Sequence, residues 1–305
     1  MSDYVIETED LCLYYKRKPA LDRLNLRLPR GGIHAFVGAN GAGKSSLFRV
    51  LLGFEPASSG SARVLGHDCA RLTPALRSRI GFVNEEHTLP AWMRVRELEG
   101  MQRRLYPRWN GARYDEVLCH FNVLPGQRVG QLSRGERAGL NLALALAQGP
   151  ELLILDEPTL GLDVVAKRAF LEAMLQATVD DDATIVYCSH QMDEIERVAD
   201  NLVILEHGRL RTMNGPDDFC GRIRLWVAEF PFKMPAEVRG LPGVLQLQHI
   251  EGLTHIVVFD QDDGIEARLK LLGARTVQSM PLGLDRAVNA FLSRGHAGER
   301  LARAA

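Results

Sequence analysis

The run Gly38-Ala39-Asn40-Gly41-Ala42-Gly43-Lys44-Ser45-Ser46 has the composition of a phosphate cradle. Glycines let a backbone curl until successive N–H groups point inward at phosphate oxygens, and a helix starting there adds the positive end of its dipole. Lys44 would then place a point charge between the terminal phosphates of a nucleotide, and the Ser45 hydroxyl could ligate Mg²⁺. The spelling GxxxxGK[ST] needs a strand before it and a helix after it, and the apolar run 33–37 and the helically spaced run 44–52 supply both. Gly38, Asn40, Gly41, Ala42, Gly43, Lys44, Ser45 and Ser46 are therefore candidate nucleotide-binding residues.

A second constellation is the apolar strand Leu152-Leu153-Ile154-Leu155, which ends in Asp156-Glu157. A buried central strand delivers its last side chains to the carboxyl edge of a sheet, where the phosphate loop also lies. Asp156 is placed to hold Mg²⁺ through its hydration shell, and Glu157 to polarise an attacking water as general base. Such an ending by itself also suits ordinary surface acids. His190, in Ser189-His190 after the apolar run 184–188, could hydrogen-bond a terminal phosphate and register its presence. Phosphate loops serve kinases, GTPases, helicases and transporters alike, so these motifs leave the class open. The segment Leu132-Ser133-Arg134-Gly135-Glu136 narrows it, because a serine hydroxyl, a glycine amide and the N-terminus of the apolar helix that follows make a second phosphate grip.

The elements that must position these residues read as an α/β chain. Alternating apolar and polar residues from Tyr4 to about Leu28 predict antiparallel strands. Residues from about Glu85 to Gln131 predict a helical insertion, with Glu97, Leu98, Met101 and Leu105 on one face and Tyr114, Val117, Leu118 and Phe121 on another. Beyond it, apolar runs at 152–155, 184–188 and 202–205 alternate with helices at 164–178 and 191–199, which implies parallel strands covered by helices. Gly215-Pro216 marks a break. Strands near 225–230, 244–250, 255–259 and 275–278 and helices at 264–272 and 284–292 then predict a small α+β appendage. The acids Asp260, Asp262 and Asp263 within it read as a solvated turn rather than a metal site.

Composition excludes other classes. Lys+Arg 37 against Asp+Glu 38 leaves no sequence-independent grip on nucleic acid or an acidic membrane surface. Five scattered cysteines without a CxxC pair read as reduced cytosolic thiols. The start MSDYVIETED lacks the basic-then-apolar order of a secretory signal, and no run approaches the roughly 20 apolar residues that span a bilayer.

Taken in order, these motifs resemble those of the ABC ATPases over about residues 4–215. Gly38 to Ser46 resembles the Walker A loop, Leu152 to Glu157 the Walker B strand, and Leu132 to Glu136 the LSGGQ signature. Gly161-Leu162-Asp163 resembles the D-loop and His190 the switch histidine, while Tyr15, set before Ala20-Leu21, resembles the aromatic that stacks on adenine. The resemblance implies a P-loop NTPase core of ABC type over residues 1–216, with an antiparallel β subdomain and a helical subdomain at about 85–150, followed by an accessory α+β domain over 217–305. It implies ATP and Mg²⁺ as cofactors, with Ser45, Glu85 and Asp156 as metal-side residues and Glu157, His190, Glu85 and Lys44 as the catalytic set. It also implies that Ser133, Gly135, Glu136 and Asp163 of one subunit close over ATP held by the other, in a homodimer or a heterodimer with a related ATPase.

Two departures stand out: Glu85, in Asn84-Glu85-Glu86, aligns where the family has glutamine, and the signature carries Arg134 for glycine and Glu136 for glutamine. Leu89-Pro90-Ala91-Trp92-Met93 and Leu105-Tyr106-Pro107-Arg108-Trp109-Asn110 resemble bacterial exporter ATPases whose permeases are separate chains, with Trp92 and Met93 at the coupling groove. The expectation is an ATPase subunit on the inner face of the cell membrane, docked on a separate permease and powering export. The alternative is a soluble ABC ATPase acting on ribosomes or nucleic acid.

Overall fold

The alternation near the N-terminus builds β1 (Tyr4–Tyr15) and β2 (Lys18–Pro29), an antiparallel pair whose Leu11, Leu13, Leu21, Leu24, Leu26 and Leu28 are all buried. The computed structural model describes residues 3–180, 183–232, 234–260 and 264–302. It divides into two compact units, Met1–Met213 and Asn214–Ala305, with the division just ahead of Gly215-Pro216.

In the first unit β3 (Ile33–Val37) is buried at every position, as a strand covered on both faces must be. It leads through the glycine loop into α1 (Lys44–Leu51). β4 (Ser59–Val64) and β5 (His67–Asp68) extend the antiparallel sheet to the order β2-β1-β4-β5, and the one-turn α2 (Pro74–Arg77) starts on a Thr73 cap. β6 (Ile80–Asn84) precedes the helical insertion of α3 (Val95–Leu105), α4 (Gly111–Cys119) and α5 (Arg134–Ala147). β7 (Leu152–Asp156), α6 (Val164–Asp180), β8 (Thr184–Cys188), α7 (Met192–Val198), β9 (Asn201–Glu206) and β10 (Arg209–Asn214) complete the run. The main sheet has the order β10-β9-β3-β8-β7-β6, and β9, β3, β8, β7 and β6 are parallel neighbours.

The insertion is less helical than its sequence suggests. Residues 85–94 are turns and irregular backbone, and the first helix starts only at Val95. Leu98 is buried, but Met101 and Leu105 on the same predicted face are exposed, because a helical period reports spacing and not the presence of a partner. Trp92 is 74% exposed whereas its neighbour Met93 is only 8% exposed and sits in the core. α4 packs on α5 so closely that a Cβ on Gly139 would lie 2.1 Å from Cγ of Phe121, which only glycine accommodates.

The second unit holds α8 (Pro216–Gly221), β11 (Ile223–Glu229), β12 (Val244–Ile250), β13 (Leu253–Phe259), α9 (Ile265–Leu271), β14 (Thr276–Pro281) and α10 (Leu284–Ala302). Its sheet has the order β12-β13-β11-β14 with each neighbouring pair antiparallel, the arrangement of a split βαβ repeat. α9 makes one crossover, and a short 3₁₀ turn at Ala236–Gly240 stands where the other helix would be. Trp226, Ala228, Ile256 and Val258 pack with Val238, Ile265 and Leu269 on one face. Phe219, Phe259 and Phe291 cluster with ring centroids 5.0–6.4 Å apart. Asp260 is an ion-pair partner, accepting from the Arg222 guanidinium at 2.6 Å on both oxygens; Asp262 and Asp263 lie outside the described residues. Among the described residues no helix is long and apolar enough to cross a membrane.

Candidate functional site

Parallel pairing puts the ends of β3, β8, β7 and β6, four successive strands of the sheet, at one carboxyl edge. The segments that leave these ends carry Gly38–Gly43, Ser189-His190, Glu157 and Glu85, residues far apart in sequence. Register makes the arrangement specific: Asp156 pairs with Asn84 of β6 on one side and Cys188 of β8 on the other. A cleft of 460 Å³ opens there, lined by Tyr15, Asn40, Gly41, Ala42, Gly43, Lys44, Ser45, Ser46, Glu85, Asp156 and Glu157. Lys18, Pro19 and Cys188, which belong to no motif of the sequence, line the same cleft, as does Ala20. Cys188 reaches the cleft as the last residue of β8, paired with Asp156, and burial pushes its thiol pKa up.

The loop's glycines have steric reasons. A Cβ on Gly38 would lie 2.3 Å from the Leu205 carbonyl oxygen. Gly43, at φ 105° and capping α1, leaves 2.5 Å between such a Cβ and the Ala20 carbonyl oxygen. The Lys44 ammonium donates to the Gly38 carbonyl at 2.6 Å, so the cation sits at the mouth of its own loop. Tyr15 is 40% exposed at the cleft rim, an open ring suited to stacking.

Glu157 adopts φ 52°, the left-handed region that non-glycine residues enter at a cost of about 1–2 kcal/mol. Its N–H donates to the Cys188 carbonyl at 3.0 Å, and its carboxylate Oε2 lies 2.8 Å from Nδ1 of His190. The strained turn thus aims the carboxylate at the cleft and sets His190 on it. Glu85 also lines a pocket of 350 Å³ with Glu86, His87, Arg134 and Arg137, so two guanidinium groups face the two acids.

Ser133, Gly135, Glu136 and Asp163 do not line this cleft. Ser133 caps α5 in a reciprocal box with Glu136: the Glu136 N–H donates to Ser133 Oγ at 3.2 Å, and the Ser133 N–H to Glu136 Oε2 at 2.7 Å. Asp163 caps α6 by accepting from Val165 and Ala166 N–H groups, both at 2.9 Å. The two helix starts are neighbours, since a Cβ on Gly135 would meet the Ala166 Cβ at 3.0 Å and one on Gly161 the Arg134 guanidinium carbon at 2.9 Å.

Comparison with known proteins gives the family. Residues 21–160 match the family described as ABC transporter. The daunorubicin resistance ATP-binding protein DrrA3 of Streptomyces coeruleorubidus is 36% identical over 215 residues, covering 69% of this chain and 68% of that protein. DrrA2 of the same organism is 29% identical over 299 residues, covering 94% and 92%. A solved structure described as the ATP-binding subunit of an ABC transporter is 27% identical with a TM-score of 0.64, covering 70% of this chain and 91% of that one. The family match and these relatives place the chain in the ABC transporter family, as an ATP-binding subunit whose domain hydrolyses ATP.

Proposed function

We propose that the chain binds ATP in the cleft at the carboxyl edge of the main sheet and hydrolyses it there to drive export through a separate permease. The observation that carries this reading is that Lys44, Ser45, Asp156 and Glu157 line one cleft while His190 rests on Glu157. Tyr15 stacks on the base, and the Gly38–Ser46 backbone with the α1 N-terminus holds the phosphates. Lys44 exchanges its Gly38 carbonyl for phosphate oxygens. Glu157 takes a proton from the attacking water, and His190 orients that carboxylate and donates to the transferred phosphate.

The donor set fits Mg²⁺. A hydroxyl on Ser45 and carboxylates on Asp156 and Glu85 are hard oxygen ligands on one cleft. Among the described residues no group of three or more acids, histidines or cysteines could hold a metal alone, which suits an ion that shares its shell with water and nucleotide phosphates. When bound, the ion neutralises phosphate charge. Glu85 brings an extra charge beside Glu157, and Arg134 and Arg137 line the smaller pocket with it.

Ser133 and Gly135 sit outside the cleft at a helix N-terminus, so we read them, with Glu136 and Asp163, as the grip offered to ATP on a second subunit. Two relatives, 36% and 35% identical, are named for Nod factor export, which supports export as the direction, while others are named for molybdenum and hypophosphite import. Exposed Trp92, Met101 and Leu105 suit a surface for a permease on the cytoplasmic side of the membrane. Steady-state ATPase assays test the site: Lys44→Ala should lower kcat/KM at least roughly 100-fold, and hydrolysis unchanged in that variant would overturn the reading.

A further inference from the structure

Behind the Glu157–His190 contact lies a carboxylate that the proposed chemistry does not use. Glu194, on α7 one turn beyond His190, is only 4% exposed. Its Oε2 accepts from Thr159 Oγ1 at 2.8 Å, from Tyr187 and, at 3.4 Å, from Ser189. Burial, with the charge of Glu194 beside it, pushes the Tyr187 hydroxyl pKa up and keeps that group a donor. The Lys167 ammonium lies 3.3 Å from Glu194 Oε1 and also donates to the Gln191 side-chain oxygen.

These partners come from the segments that matter. Thr159 follows Glu157 by two residues, and Lys167 belongs to the first turn of α6, where its N–H donates to the Asp163 carbonyl at 3.0 Å. Ser189 and Gln191 flank His190, and Tyr187 is in β8. A fully buried carboxylate is a poor way to gain stability, since apolar packing of equal volume does as well or better, whereas its directional contacts fix a single arrangement. Here that arrangement joins both halves of the Glu157–His190 pair to the start of α6.

We propose that Glu194 is a positioning residue for hydrolysis: its buried carboxylate ties Thr159, Lys167 and the His190 segment into one unit, so that Glu157 and His190 align only when Gly161-Leu162-Asp163 is in place. The inference rests on the roles given to Glu157 and His190 above. A shift of either side chain by an ångström would be felt in turnover rather than in nucleotide binding, because the hydrogen bonds and ion pair that hold Glu194 go to Thr159, Tyr187, Ser189 and Lys167 and not to the phosphate loop.

The test uses the full-length chain and two variants, Glu194→Gln and the milder Thr159→Val, with ATPase kinetics and backbone hydrogen exchange read together. Both variants should lower kcat, Glu194→Gln roughly 10- to 100-fold, and leave KM within about twofold. Exchange should rise together in residues 157–163 and 189–194 and stay unchanged in 38–46. Wild-type kcat in both variants, or faster exchange in only one of the two segments, would overturn the proposal; if Glu194→Gln does not fold, Thr159→Val decides it alone. A wild-type chain that hydrolyses no ATP would count against the roles of Glu157 and His190, and the coupled exchange would still decide whether Glu194 joins the two segments.

Discussion

His87 makes the fold of the active edge sensitive to acid, and the size of the effect follows from its surroundings. The ring is 1% exposed, with Nε2 at 2.9 Å from the Pro158 carbonyl and Nδ1 at 3.5 Å from the Asn141 side-chain nitrogen. A carbonyl only accepts, so Nε2 carries the proton and Nδ1 is left to accept from Asn141, which describes a neutral imidazole. Burial lowers its pKa to about 4, with Arg134 and Arg137 adding repulsion and the Pro158 hydrogen bond opposing them. Because the folded value lies below the unfolded one of about 6.5, the unfolded chain binds more protons in acid. This contribution is complete above about pH 6.5 and is lost as pH falls towards 4, a change of about 3 kcal/mol.

His87→Phe removes the titration and leaves the Pro158 carbonyl and Asn141 without their partner, a cost of about 1–3 kcal/mol at neutral pH. Urea unfolding of wild type and variant, followed through the transition of the first unit between about pH 7.5 and 4.5, should show the variant weaker at the neutral end and the difference moving in the variant's favour by about 2.5 kcal/mol towards acid, far enough to reverse its sign where the neutral cost is small. Titrations shared by both proteins, such as that of buried His34, cancel in the difference. A gap that stays constant across the range would refute the reasoning, since it would mean that His87 binds protons equally in both states.

Three further outcomes follow from single positions. Gly43→Ala, at φ 105° and with the Ala20 carbonyl oxygen 2.5 Å from its new Cβ, should abolish binding of a fluorescent ATP analogue; wild-type affinity would show that the loop tolerates a side chain there. Gly139→Ala should lower stability by about 1–3 kcal/mol in a thermal melt, because its Cβ would overlap the Phe121 ring. Glu151 accepts from Arg79 at 2.7 and 2.6 Å and from Arg108 at 3.1 Å, and the Arg79 guanidinium above all holds its pKa down. Its contribution is present above the ordinary carboxylate range and lost below it, so Glu151→Gln should be about 1 kcal/mol weaker at neutral pH and equal to wild type in strong acid.

The positions of the candidate site in the fold could largely be read from residue types alone. GxxxxGK[ST] between strand and helix, and Asp156-Glu157 at the end of an apolar run, state their positions through the alternation of strands and helices. Other features depend on contacts between segments distant in sequence. The buried His87 and Glu194 look like ordinary surface residues until Pro158 and Thr159 are placed beside them. The left-handed backbone of Glu157 is imposed by its hydrogen bond to Cys188, and no local sequence signal announces it. In the irregular stretch 85–94 the apolar residues are contiguous from Leu89 to Met93, and the sequence does not say that Trp92 turns outward and Met93 inward. In the second unit the strands were legible, but their order was not, because β11 and β12 each pair with β13 rather than with each other.

Whether one ATP is gripped by two chains is measured directly by complementation. Lys44→Ala and Ser133→Glu should each be inactive as homodimers, but mixing them in equal amounts should restore up to about a quarter of wild-type ATPase, because a mixed dimer pairs the intact Lys44 of one chain with the intact Ser133 of the other. A mixture as inactive as its parents, under conditions where mass measurement shows that mixed dimers form, would mean that no site is shared.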